Sequence, residues 1–513
     1  MAQSTTEQSN NSGRQHFLLL AGILVLGTLL RLYQLGAESY WFDEIITVMV
    51  ETRAESLSDL HRLGELHRQP VYFYTIFYWM RWFGASEFAV RLPSAIAGIA
   101  AIALLYWLGK TMFNQHVALI AAFLIAVSPF HVHYSQEART YSFVALVTIA
   151  CFFFFYRAVK NATWINFLLY TVSAYILFQT HAFSLFILLS QGLYFLFTWG
   201  KYTRNTRLLF SGSVLVIFLG ILPELWPNLP GQTPDWASPI FYLPEPSASD
   251  ILRTVYTFAF PARYERSWIE VGIRYAIGLG FFGIALGIVF AKQSREDFMH
   301  KVKEAFNLQP LFSEWGRNLL LISLWFLVPV VIPFVISKVY SPIYEGRYII
   351  NALPALSLGL AVVIYHLRRV IPVWLALTTL VVMIVPGFYF YYTLDIKEQW
   401  RQMAAYVAAS DQKTDLVILA PDEDGFQTDA FKLYFEDSLE SCGIPVEVAT
   451  PDKIDSIVDD CAQDNGRIWL VVRGLEQVKA VYQDFFLEPV PVGLTLVDKQ
   501  HFNSIDLYLF EIE

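Results

Sequence analysis

The stretch Ser39-Tyr40-Trp41-Phe42-Asp43-Glu44 follows closely on an apolar segment that runs from Phe17 to Leu30. Three consecutive aromatic residues are typical of the membrane–water interface, where a ring stays in hydrocarbon while its polar edge meets water. Two carboxylates come directly after them, and charges at that depth are costly unless a polar cavity or a partner receives them. The stretch therefore predicts either a functional acidic site at a membrane surface or a solvated acidic pair at the start of the next helix.

The composition is that of a membrane protein with polar parts. Of the 513 residues, 55% are hydrophobic and 16% are charged, whereas soluble domains contain about 25% charged residues. Residues 395–513 carry 24 acidic and 9 basic side chains, a net charge of −15, against +6 for the rest of the chain. We therefore predict a membrane body followed by an acidic soluble domain over 395–513. This domain has no basic stripe, so no nucleic-acid partner is expected.

The chain before residue 395 contains apolar segments of roughly the ~20 residues that cross a bilayer. Arg31 follows the first segment and no small-residue cleavage site is present, so we interpret it as an uncleaved span rather than a signal peptide. Residues 1–16 are predicted to be disordered, and residues 17–394 to form the membrane domain. The eleven predicted spans are 17–30, 89–109, 117–131, 140–157, 164–180, 182–199, 208–226, 272–291, 317–337, 347–366 and 371–392.

Basic residues indicate which side of the membrane each connection occupies. With the N-terminus in the cytoplasm, nearly every inner connection is basic, as the positive-inside bias requires. The residues concerned are Lys110, Arg157, Lys160, Lys201, Arg204, Arg207, Lys292, Arg295, Lys301, Lys303, Arg317, Arg368 and Arg369. This orientation predicts a multi-pass protein of the plasma or inner membrane, with Asp43 and the C-terminal domain on the extracytoplasmic side.

The first outer connection, 37–88, is unusually long for a membrane protein. Its segments 57–66 and 71–83 have the patterns of helices that lie along the membrane surface. His67-Arg68-Gln69-Pro70 lies between them. This sequence is interpreted either as a helix break in which Pro70 opens the next helix, or as a polar group near Asp43 that receives a phosphate.

Three later outer connections also carry polar or aromatic side chains. The connection 128–141 contains Glu137, a second acid, and Arg139. It also contains His131 and His133, which are two positions apart and could both bind a metal, although no third ligand is evident. A divalent metal is therefore left open. The connection 227–271 is rich in Pro, Trp and Tyr and is predicted to be a lid. At the start of the tenth span, Arg347 fits either bidentate phosphate binding or a snorkelling anchor.

Several of these stretches, in this order, carry a resemblance to a known family. They are Trp41-Phe42-Asp43-Glu44, Pro70-Val71-Tyr72-Phe73-Tyr74, Glu87-Phe88-Ala89-Val90-Arg91-Leu92-Pro93-Ser94, Ser128-Pro129-Phe130, Tyr134-Ser135-Gln136-Glu137-Ala138-Arg139-Thr140-Tyr141, and Gly346-Arg347-Tyr348 followed by Pro354. Over about residues 17–366 the chain resembles the C-type, polyprenyl-phosphate-dependent glycosyltransferases, in the branch of the protein O-mannosyltransferases and the lipid A aminoarabinose transferase. It departs from that branch at Arg68-Gln69-Pro70, where members often have a Pro-Pro pair.

The resemblance implies a sugar donor on a polyprenyl phosphate, an acceptor hydroxyl on a lipid, glycan or protein, and inversion at the sugar carbon. Asp43 matches the family's catalytic acid and would be the general base. Glu44 would have a structural or acceptor-binding role, and Glu137 would hold an acceptor hydroxyl or a cation. Arg68, Arg139 and Arg347 would bind the donor phosphate. The residues expected to line the substrate cavity are His67, His131, His133, Tyr141, Tyr344 and Tyr348. A lipid or glycan flippase and a non-catalytic membrane scaffold are the alternatives.

The C-terminal segment alternates strand and helix patterns, which predicts a small α/β layer domain. Strands are predicted at 415–420, 446–448, 467–472, 494–497 and 505–510, and helices at 428–435 and 475–486. The run Asp422-Glu423-Asp424 is interpreted as a solvated turn or a calcium site. Cys442 and Cys461 fall on the oxidising side of the membrane, so a disulfide between them is a candidate. The domain is expected either to hold an acceptor or to cap the cavity.

Overall fold

The computed structural model describes residues 2–62, 69–225, 244–259, 280, 283, 313–410, 415–420, 422, 426–435, 440–444, 466–474 and 494–512. The chain divides into two compact units. The first comprises Met1–Tyr33, Ser56–Trp82 and Arg91–Tyr391, and the second comprises Gln34–Glu55, Phe83–Val90 and Tyr392–Glu513. The second unit starts its long segment close to the predicted domain boundary at residue 395. It also contains two segments of the first predicted outer connection, which the sequence assigns to the membrane domain.

The described helices are named in chain order. They are α1 (Ala2–Leu32), α2 (Phe42–Arg53), α3 (Leu57–Arg62), α4 (Pro70–Phe83), α5 (Glu87–Met112), α6 (Gln115–Ala126), α7 (Pro129–Ser135), α8 (Tyr141–Lys160), α9 (Trp164–Phe178), α10 (Ser184–Phe197), α11 (Arg204–Leu225), α12 (Ala248–Ala259), α13 (Glu314–Val339), α14 (Leu353–Leu367), α15 (Val373–Thr393), α16 (Trp400–Ser410) and α17 (Phe426–Tyr434). Short 3-10 helices span Trp199–Lys201 and Gly346–Ala352.

The described residues contain seven helices that are long and apolar enough to cross a membrane, or eight if α6 and α7, which are bent by 61°, form one span. Helices α9 and α10 are apolar but shorter. Within the described ranges, ten of the eleven predicted spans coincide with helices, and of the remaining one, 272–291, only residues 280 and 283 are described. The structure therefore agrees with the prediction of a polytopic helical membrane protein, while the count of eleven stays a prediction.

The ends of this architecture differ in detail from the sequence-based expectation. Disorder is predicted over 1–16, yet the structure describes residues 2–16 as the beginning of α1. Extending an existing helix adds hydrogen bonds without a new nucleation step, which favours this continuation.

Helix α4 buries Tyr72, Phe73, Ile76, Phe77 and Met80. Its opposite face exposes Tyr74, Tyr78 and Trp82, spaced four residues apart as on an interfacial helix.

The core of the first unit lies between α6, α8, α13 and α14. The rings of Phe152 on α8 and Trp325 on α13 stack with centroids 3.7 Å apart, and both side chains are fully buried. Helices α5 and α6 approach closely, because a Cβ atom on Gly109 would lie only 3.1 Å from the Cα atom of Ala118. Small residues at such positions allow membrane helices to pack tightly. The resulting rigid bundle fixes the connections at its two ends.

One end of this bundle contains the connections that the sequence assigns to the cytoplasm. Lys160 at the end of α8 donates to Glu314 at the start of α13, at 2.8 Å. Trp315 lies edge-on to Phe113, with ring centroids 5.5 Å apart, and its centroid lies 5.6 Å from that of His366 at the end of α14. The predicted inner connections of four spans therefore meet at one end, here called the basic end.

The opposite end gathers the predicted outer connections and is here called the site end. The hydroxyl of Ser94 donates to the carbonyl of Arg139 at 3.1 Å, and the hydroxyl of Thr140 donates to the carbonyl of Thr180 at 3.1 Å. The Asn351 amide also donates to the carbonyl of Phe183 at 3.4 Å. These side-chain hydrogen bonds join connections up to 168 positions apart along the chain, and two of the three donors, Ser94 and Thr140, belong to the motifs quoted above.

Arg31 stabilises the bend between α6 and α7. A break in a helix leaves its last carbonyl groups without intrahelical partners. The fully buried Arg31 guanidinium donates to the carbonyls of Ile125 (3.1 Å) and Ala126 (3.0 Å), to that of Gly27 (2.9 Å), and to Nδ1 of His131 (2.7 Å). A single cation therefore caps α6 and connects it to α1 and α7.

We expect Arg31→Met to lower the free energy of unfolding by about 3 kcal/mol, because it leaves several buried acceptors without donors. The measurement is thermal unfolding of the purified protein in detergent. The control is Arg81→Met, since Arg81 is exposed and lies over the Phe77 ring at 3.2 Å. That change should lower stability by less than about 1 kcal/mol. Equal losses in the two variants would contradict the capping role.

The second unit is built on a mixed sheet. The described strands are β1 (Asp415–Ala420), β2 (Glu440–Gly443), β3 (Arg467–Arg473), β4 (Leu494–Phe502) and β5 (Ile505–Ile512). They are arranged in the order β2-β1-β3-β5-β4. The pairs β1–β2 and β1–β3 are parallel, whereas β5 is antiparallel to both β3 and β4. Every residue of β1 is buried, as expected for a central parallel strand. The predicted α/β domain is therefore present.

Three predictions for this domain have different outcomes. The predicted strand 446–448 and helix 475–486 lie outside the described residues. Asp422 caps α17, since its carboxylate accepts from the backbone N–H of Gln427 at 2.6 Å and from the hydroxyl of Thr428 at 2.6 Å. Glu423 and Asp424 lie outside the described residues, so the calcium alternative stays a prediction. Cys442 is disulfide-bonded. Because Cys461 also lies outside the described ranges, the proposed pairing stays a prediction.

Candidate active site

The motif of the second outer connection is held by the bend at Ser128-Pro129. Pro129 is the first residue of α7, where its fixed φ suits a helix start. The Ser128 hydroxyl accepts from the backbone N–H of His131 at 3.3 Å and donates to the carbonyl of Phe258 at 2.7 Å. After α7, the Gln136 amide donates to the carbonyl of Tyr33 at 2.8 Å. These contacts present residues 137–141 at the site end.

Arg139, Arg347 and His181 form a cluster at the site end, here called the arginine cluster. Arg139 and Arg347 are half-buried, and His181 is 7% exposed in the connection between α9 and α10. Burial and the positive charges of Arg139 and Arg347 lower the pKa of His181 to about 4. His181 is therefore neutral at physiological pH. Its Nδ1 accepts from the backbone N–H of Phe183 at 3.2 Å, so its proton is carried by Nε2.

Aromatic side chains surround the arginine cluster. The Arg347 guanidinium lies 5.4 Å from the centre of the Tyr348 ring, and the Tyr348 and His181 rings are 5.2 Å apart. The Tyr141 ring lies 6.5 Å from both of these rings and 4.8 Å from that of Tyr134. The structure thus brings the predicted cavity residues Tyr141 and Tyr348 together with the two arginines.

Glu137, the predicted second acid, pairs with a histidine one helical turn earlier. Its Oε1 lies 3.0 Å from Nε2 of His133, and the side chain is 1% exposed. The His133 ring also contacts those of Tyr134 and Tyr391, with centroids 4.8 Å and 5.7 Å away. Tyr134 lies close enough to interact electrostatically with Glu137 and Arg347. Glu137 therefore borders the arginine cluster.

The other predicted cavity residues lie in different surroundings. Because Nδ1 of the fully buried His131 accepts from Arg31, that atom is occupied by a cation rather than available as a metal ligand. The Tyr344 hydroxyl pairs with Thr254 at 2.9 Å, which connects the last outer connection to α12. His67 and Arg68 lie outside the described residues. Across the described ranges, no group of three or more His, Cys, Asp or Glu side chains is placed to hold a metal ion.

The start of α4 lies beside the connection that carries His181. The backbone N–H of Val71 donates to the carbonyl of Gln179 at 3.4 Å. The start of α4 is therefore joined to Gln179, two positions before His181 in the chain. The predicted phosphate role of Arg68 itself stays a prediction.

Asp43 and Glu44 belong to the second unit and open α2. Both lie in its first turn, where the helix dipole favours negative charge. Asp43 is half-buried, whereas Glu44 is fully buried and pairs with Nζ of Lys397 through both carboxylate oxygens at 3.0 Å. This ion pair supports the structural alternative for Glu44. The divergence of the two adjacent side chains agrees with the expected helical geometry.

Sequence reasoning did not select His181 as a site residue. The only signal was that the long apolar stretch 164–199 had to be divided at Thr180-His181 to give two spans of ordinary length. A histidine at such a break is also found as a simple helix-end residue. Its significance depends on the proximity of Arg139 and Arg347, which lie 42 and 166 positions away along the chain.

Comparisons with known proteins agree on one type of protein. Residues 67–226 match the family model described as dolichyl-phosphate-mannose-protein mannosyltransferase. No curated protein sequence matches the chain at a significant level. A solved structure of ArnT from Cupriavidus metallidurans bound to undecaprenyl phosphate is 13% identical, with a TM-score of 0.54 over 96% of this chain and 97% of that chain.

A second solved structure is that of the archaeal oligosaccharyltransferase AglB from Archaeoglobus fulgidus in complex with an inhibitory peptide and a dolichol-phosphate. It is 12% identical, with a TM-score of 0.51 over 90% of this chain and 69% of that chain. At these identities a likeness between structures establishes the fold. The chain therefore has the fold of the C-type membrane glycosyltransferases, and the resemblance to the polyprenyl-phosphate-dependent enzymes of this type is confirmed.

Proposed function

We propose that the protein transfers a sugar from a polyprenyl-phosphate donor to a hydroxyl group of a lipid, glycan or protein. The observation that carries this proposal is the arginine cluster. Two guanidinium groups and a neutral imidazole meet at one end of an apolar helical bundle, where a lipid-linked phosphate can be bound while its chain stays in the membrane. Support comes from the fold shared with ArnT, whose structure holds undecaprenyl phosphate.

In this proposal, Arg139 and Arg347 bind the donor phosphate. Guanidinium groups form paired hydrogen bonds with phosphate oxygens and remain charged at all physiological pH values. When the bond between the sugar and the phosphate oxygen breaks, negative charge grows on the leaving phosphate. Fixed cations stabilise that charge more in the transition state than in the bound donor, which accelerates the reaction. The half-buried positions of both arginines strengthen this effect by limiting contact with water.

Asp43 is proposed as the general base, on the basis of its position in the aromatic-Asp-Glu motif. The acceptor oxygen attacks the anomeric carbon, and Asp43 takes the proton of that hydroxyl as the carbon–oxygen bond to the phosphate breaks. The products are the glycoside and the polyprenyl phosphate, so the proton and the leaving group are both accounted for. Inversion at the anomeric carbon follows from a single displacement. Glu137 is proposed to orient the acceptor hydroxyl, and no step is routed through a metal.

We place the reaction on the extracytoplasmic side of the plasma or inner membrane, with the N-terminus in the cytoplasm. The support is the arrangement of the predicted inner connections in the first unit. Basic connections such as those containing Lys160 and Arg368 meet at the basic end, as the positive-inside bias requires. The arginine cluster lies at the opposite end of the same helices.

The test is release of polyprenyl phosphate by the purified protein in lipid nanodiscs. The probes are undecaprenyl-phosphate and dolichyl-phosphate carrying single hexoses or pentoses, with extracted envelope lipids, glycans and peptides as acceptors. Acceptor-dependent release from at least one donor is the expected result. Movement of the same lipids across proteoliposome membranes without release would favour a flippase. Neither release nor movement would favour a scaffold.

We expect His181→Asn to lower kcat/KM for the donor by about 10- to 100-fold, because it removes a hydrogen bond to a charged phosphate. Asn retains an oxygen that can accept from Phe183, while the Nε2 proton is lost. Since the pKa of His181 is about 4, its protonation does not change between pH 5.5 and 8. The ratio of wild-type to variant kcat/KM should therefore stay constant over this range.

The matched control for this prediction is His366→Asn. His366 lies at the basic end, where its ring packs against Trp315. Its replacement should leave kcat/KM for the donor within about twofold of the wild-type value, since surface changes away from a site have small effects. If the ratio of wild-type to His181→Asn kcat/KM rises as the pH falls, the imidazole binds phosphate as a cation. That result would contradict the prediction.

A further inference from the structure

The residues on both sides of Asp43 are anchored within the second unit. Ser39 donates through its hydroxyl to the carbonyl of Glu398 at 2.5 Å. The Tyr40 backbone N–H donates to the hydroxyl of Tyr434 at 2.7 Å. The contacts of Phe42 and Glu44, which flank Asp43 directly, are closer to the reacting carboxylate and involve the C-terminal segment 392–513.

Glu44 is held by a fully desolvated ion pair. Its side chain is 0% exposed, and that of Lys397 is 4% exposed, with Nζ 3.0 Å from both carboxylate oxygens. Glu44 Oε2 also accepts from the backbone N–H of Trp41 at 3.4 Å. Breaking such a pair leaves one charge buried without its counterion, which is strongly unfavourable. The ion pair at Glu44, the residue that follows Asp43, therefore prevents the first turn of α2 from rotating about the helix axis.

Phe42 is held between an aromatic ring and a cation. The Phe42 and Phe426 ring centroids are 4.3 Å apart, and the Arg473 guanidinium lies 4.5 Å from the centre of the Phe42 ring. Arg473 is fixed in turn by Glu398, which accepts from its Nε at 3.0 Å and its Nη2 at 2.7 Å. This arrangement immobilises the residue that precedes Asp43.

The position of Phe42 in the sheet domain is informative. Strand β1 lies between β2 and β3 and is parallel to both, so the carboxyl ends of β1 and β3 border a topological switch point. Open α/β sheets bind ligands in the crevice at this position. Here Arg473 ends β3, Phe426 begins the helix that follows β1, and Phe42 contacts both. The position that holds a ligand in other α/β domains thus holds the residue next to Asp43.

We propose that the C-terminal domain positions the general base, with Lys397, Glu44, Arg473 and Phe426 as positioning residues. These residues, together with Phe42, are here called the Asp43 clamp. The proposal rests on the proposed function of Asp43. It assigns the C-terminal domain a role within the reaction rather than only in capping a cavity or in binding the acceptor. A fixed carboxylate is aligned with the acceptor hydroxyl before the reaction, and misalignment by about 1 Å can lower the rate 100-fold.

The experiment compares Lys397→Met with the double variant Glu44→Gln/Lys397→Met. The single variant leaves a buried carboxylate without its counterion, which lowers stability by itself. The double variant leaves no charge there, so it should be stable enough to assay. We expect the double variant to retain a KM for the donor within about threefold while kcat falls by about 10- to 100-fold, as for a group that acts only in the transition state.

A second readout does not depend on activity. A spin label on Asp43→Cys reports the order of the first turn of α2, and it should become more mobile when Glu44→Gln/Lys397→Met is added. The control is Arg53→Gln, which removes an ion pair between Asp429 of α17 and the other end of α2, roughly 15 Å from Asp43 along the helix. This control should change neither kcat nor label mobility by more than about twofold.

The outcomes separate the clamp from the proposed function. Absence of turnover in the wild-type protein would overturn the proposed function, while label mobility would still test the clamp. A double variant with wild-type kcat and a more mobile label would show that the clamp does not position a catalytic group. A double variant with unchanged mobility would show that Lys397 and Glu44 do not hold α2. Either of these last two results overturns the proposal.

Discussion

Replacement of Asp43 by Asn is expected to lower kcat by about 10²- to 10⁴-fold, the range over which a general base contributes to catalysis. Asn has nearly the same volume and can keep hydrogen bonds, but it cannot accept the proton of the acceptor hydroxyl. The KM for the polyprenyl-phosphate donor should stay within about threefold, because Asp43 is assigned to the acceptor and not to the phosphate. Steady-state release of polyprenyl phosphate in nanodiscs provides both constants.

The control for this prediction is Glu55→Gln. Glu55 is an exposed carboxylate shortly after α2, in the same long connection, so the variant makes the same charge change nearby. It should leave kcat within about twofold of the wild-type value. Full activity of Asp43→Asn would remove Asp43 from the mechanism without affecting the arginine cluster. Loss of activity in both variants would indicate a general dependence on negative charge in this connection.

Arg347→Ala is expected to lower kcat by about 10²- to 10³-fold, as found when one stabilising group of a developing anion is removed. Arg347 lies beside Tyr348 and within electrostatic range of His181, so its loss removes a guanidinium from the proposed phosphate site. Arg347→Lys should restore only part of the activity, because an ammonium group supplies the charge but not the planar pair of donors. The assay is the same donor-dependent release of polyprenyl phosphate.

A closely matched arginine–tyrosine pair is present at the basic end. The Arg368 guanidinium lies 3.6 Å from the centre of the Tyr365 ring, which parallels the arrangement of Arg347 and Tyr348 at the site end. Arg368→Ala should leave kcat within about twofold of the wild-type value. If Arg347→Ala and Arg368→Ala reduce stability equally and leave kcat unchanged, Arg347 is a helix anchor, which is the alternative that the sequence leaves open.

Much of the fold can be predicted from local sequence, because crossing a bilayer requires long apolar segments and closed backbone hydrogen bonding. Helix α8 and the buried strand β1 coincide closely with their predicted ranges. The order of the predicted spans and connections likewise separates Lys160 at one end of the bundle from Arg139 and Arg347 at the other. These features depend on properties of single segments, which a sequence displays directly.

Features that depend on pairing between distant residues could not be predicted. His131 resembles a metal ligand in sequence, yet its Nδ1 accepts from Arg31, which is 100 positions earlier. For Glu44 the sequence leaves a structural and an acceptor-binding role open, and the partner that favours the structural role, Lys397, comes from the distant C-terminal segment. In both cases a buried polar group requires a partner, and the identity of that partner depends on the tertiary fold rather than on the neighbouring residues.

The ion pair between Glu44 and Lys397 has a consequence for biosynthesis, because its members are 353 positions apart. At a translation rate of about 5–20 residues per second, the ribosome adds the second member roughly 20–70 s after the first. During that interval the early part of the chain is already synthesised, while the ion pair that fixes the first turn of α2 cannot yet form. If the Asp43 clamp is required for turnover, the immature protein is inert throughout, and a prematurely terminated chain would occupy the membrane without consuming its donor.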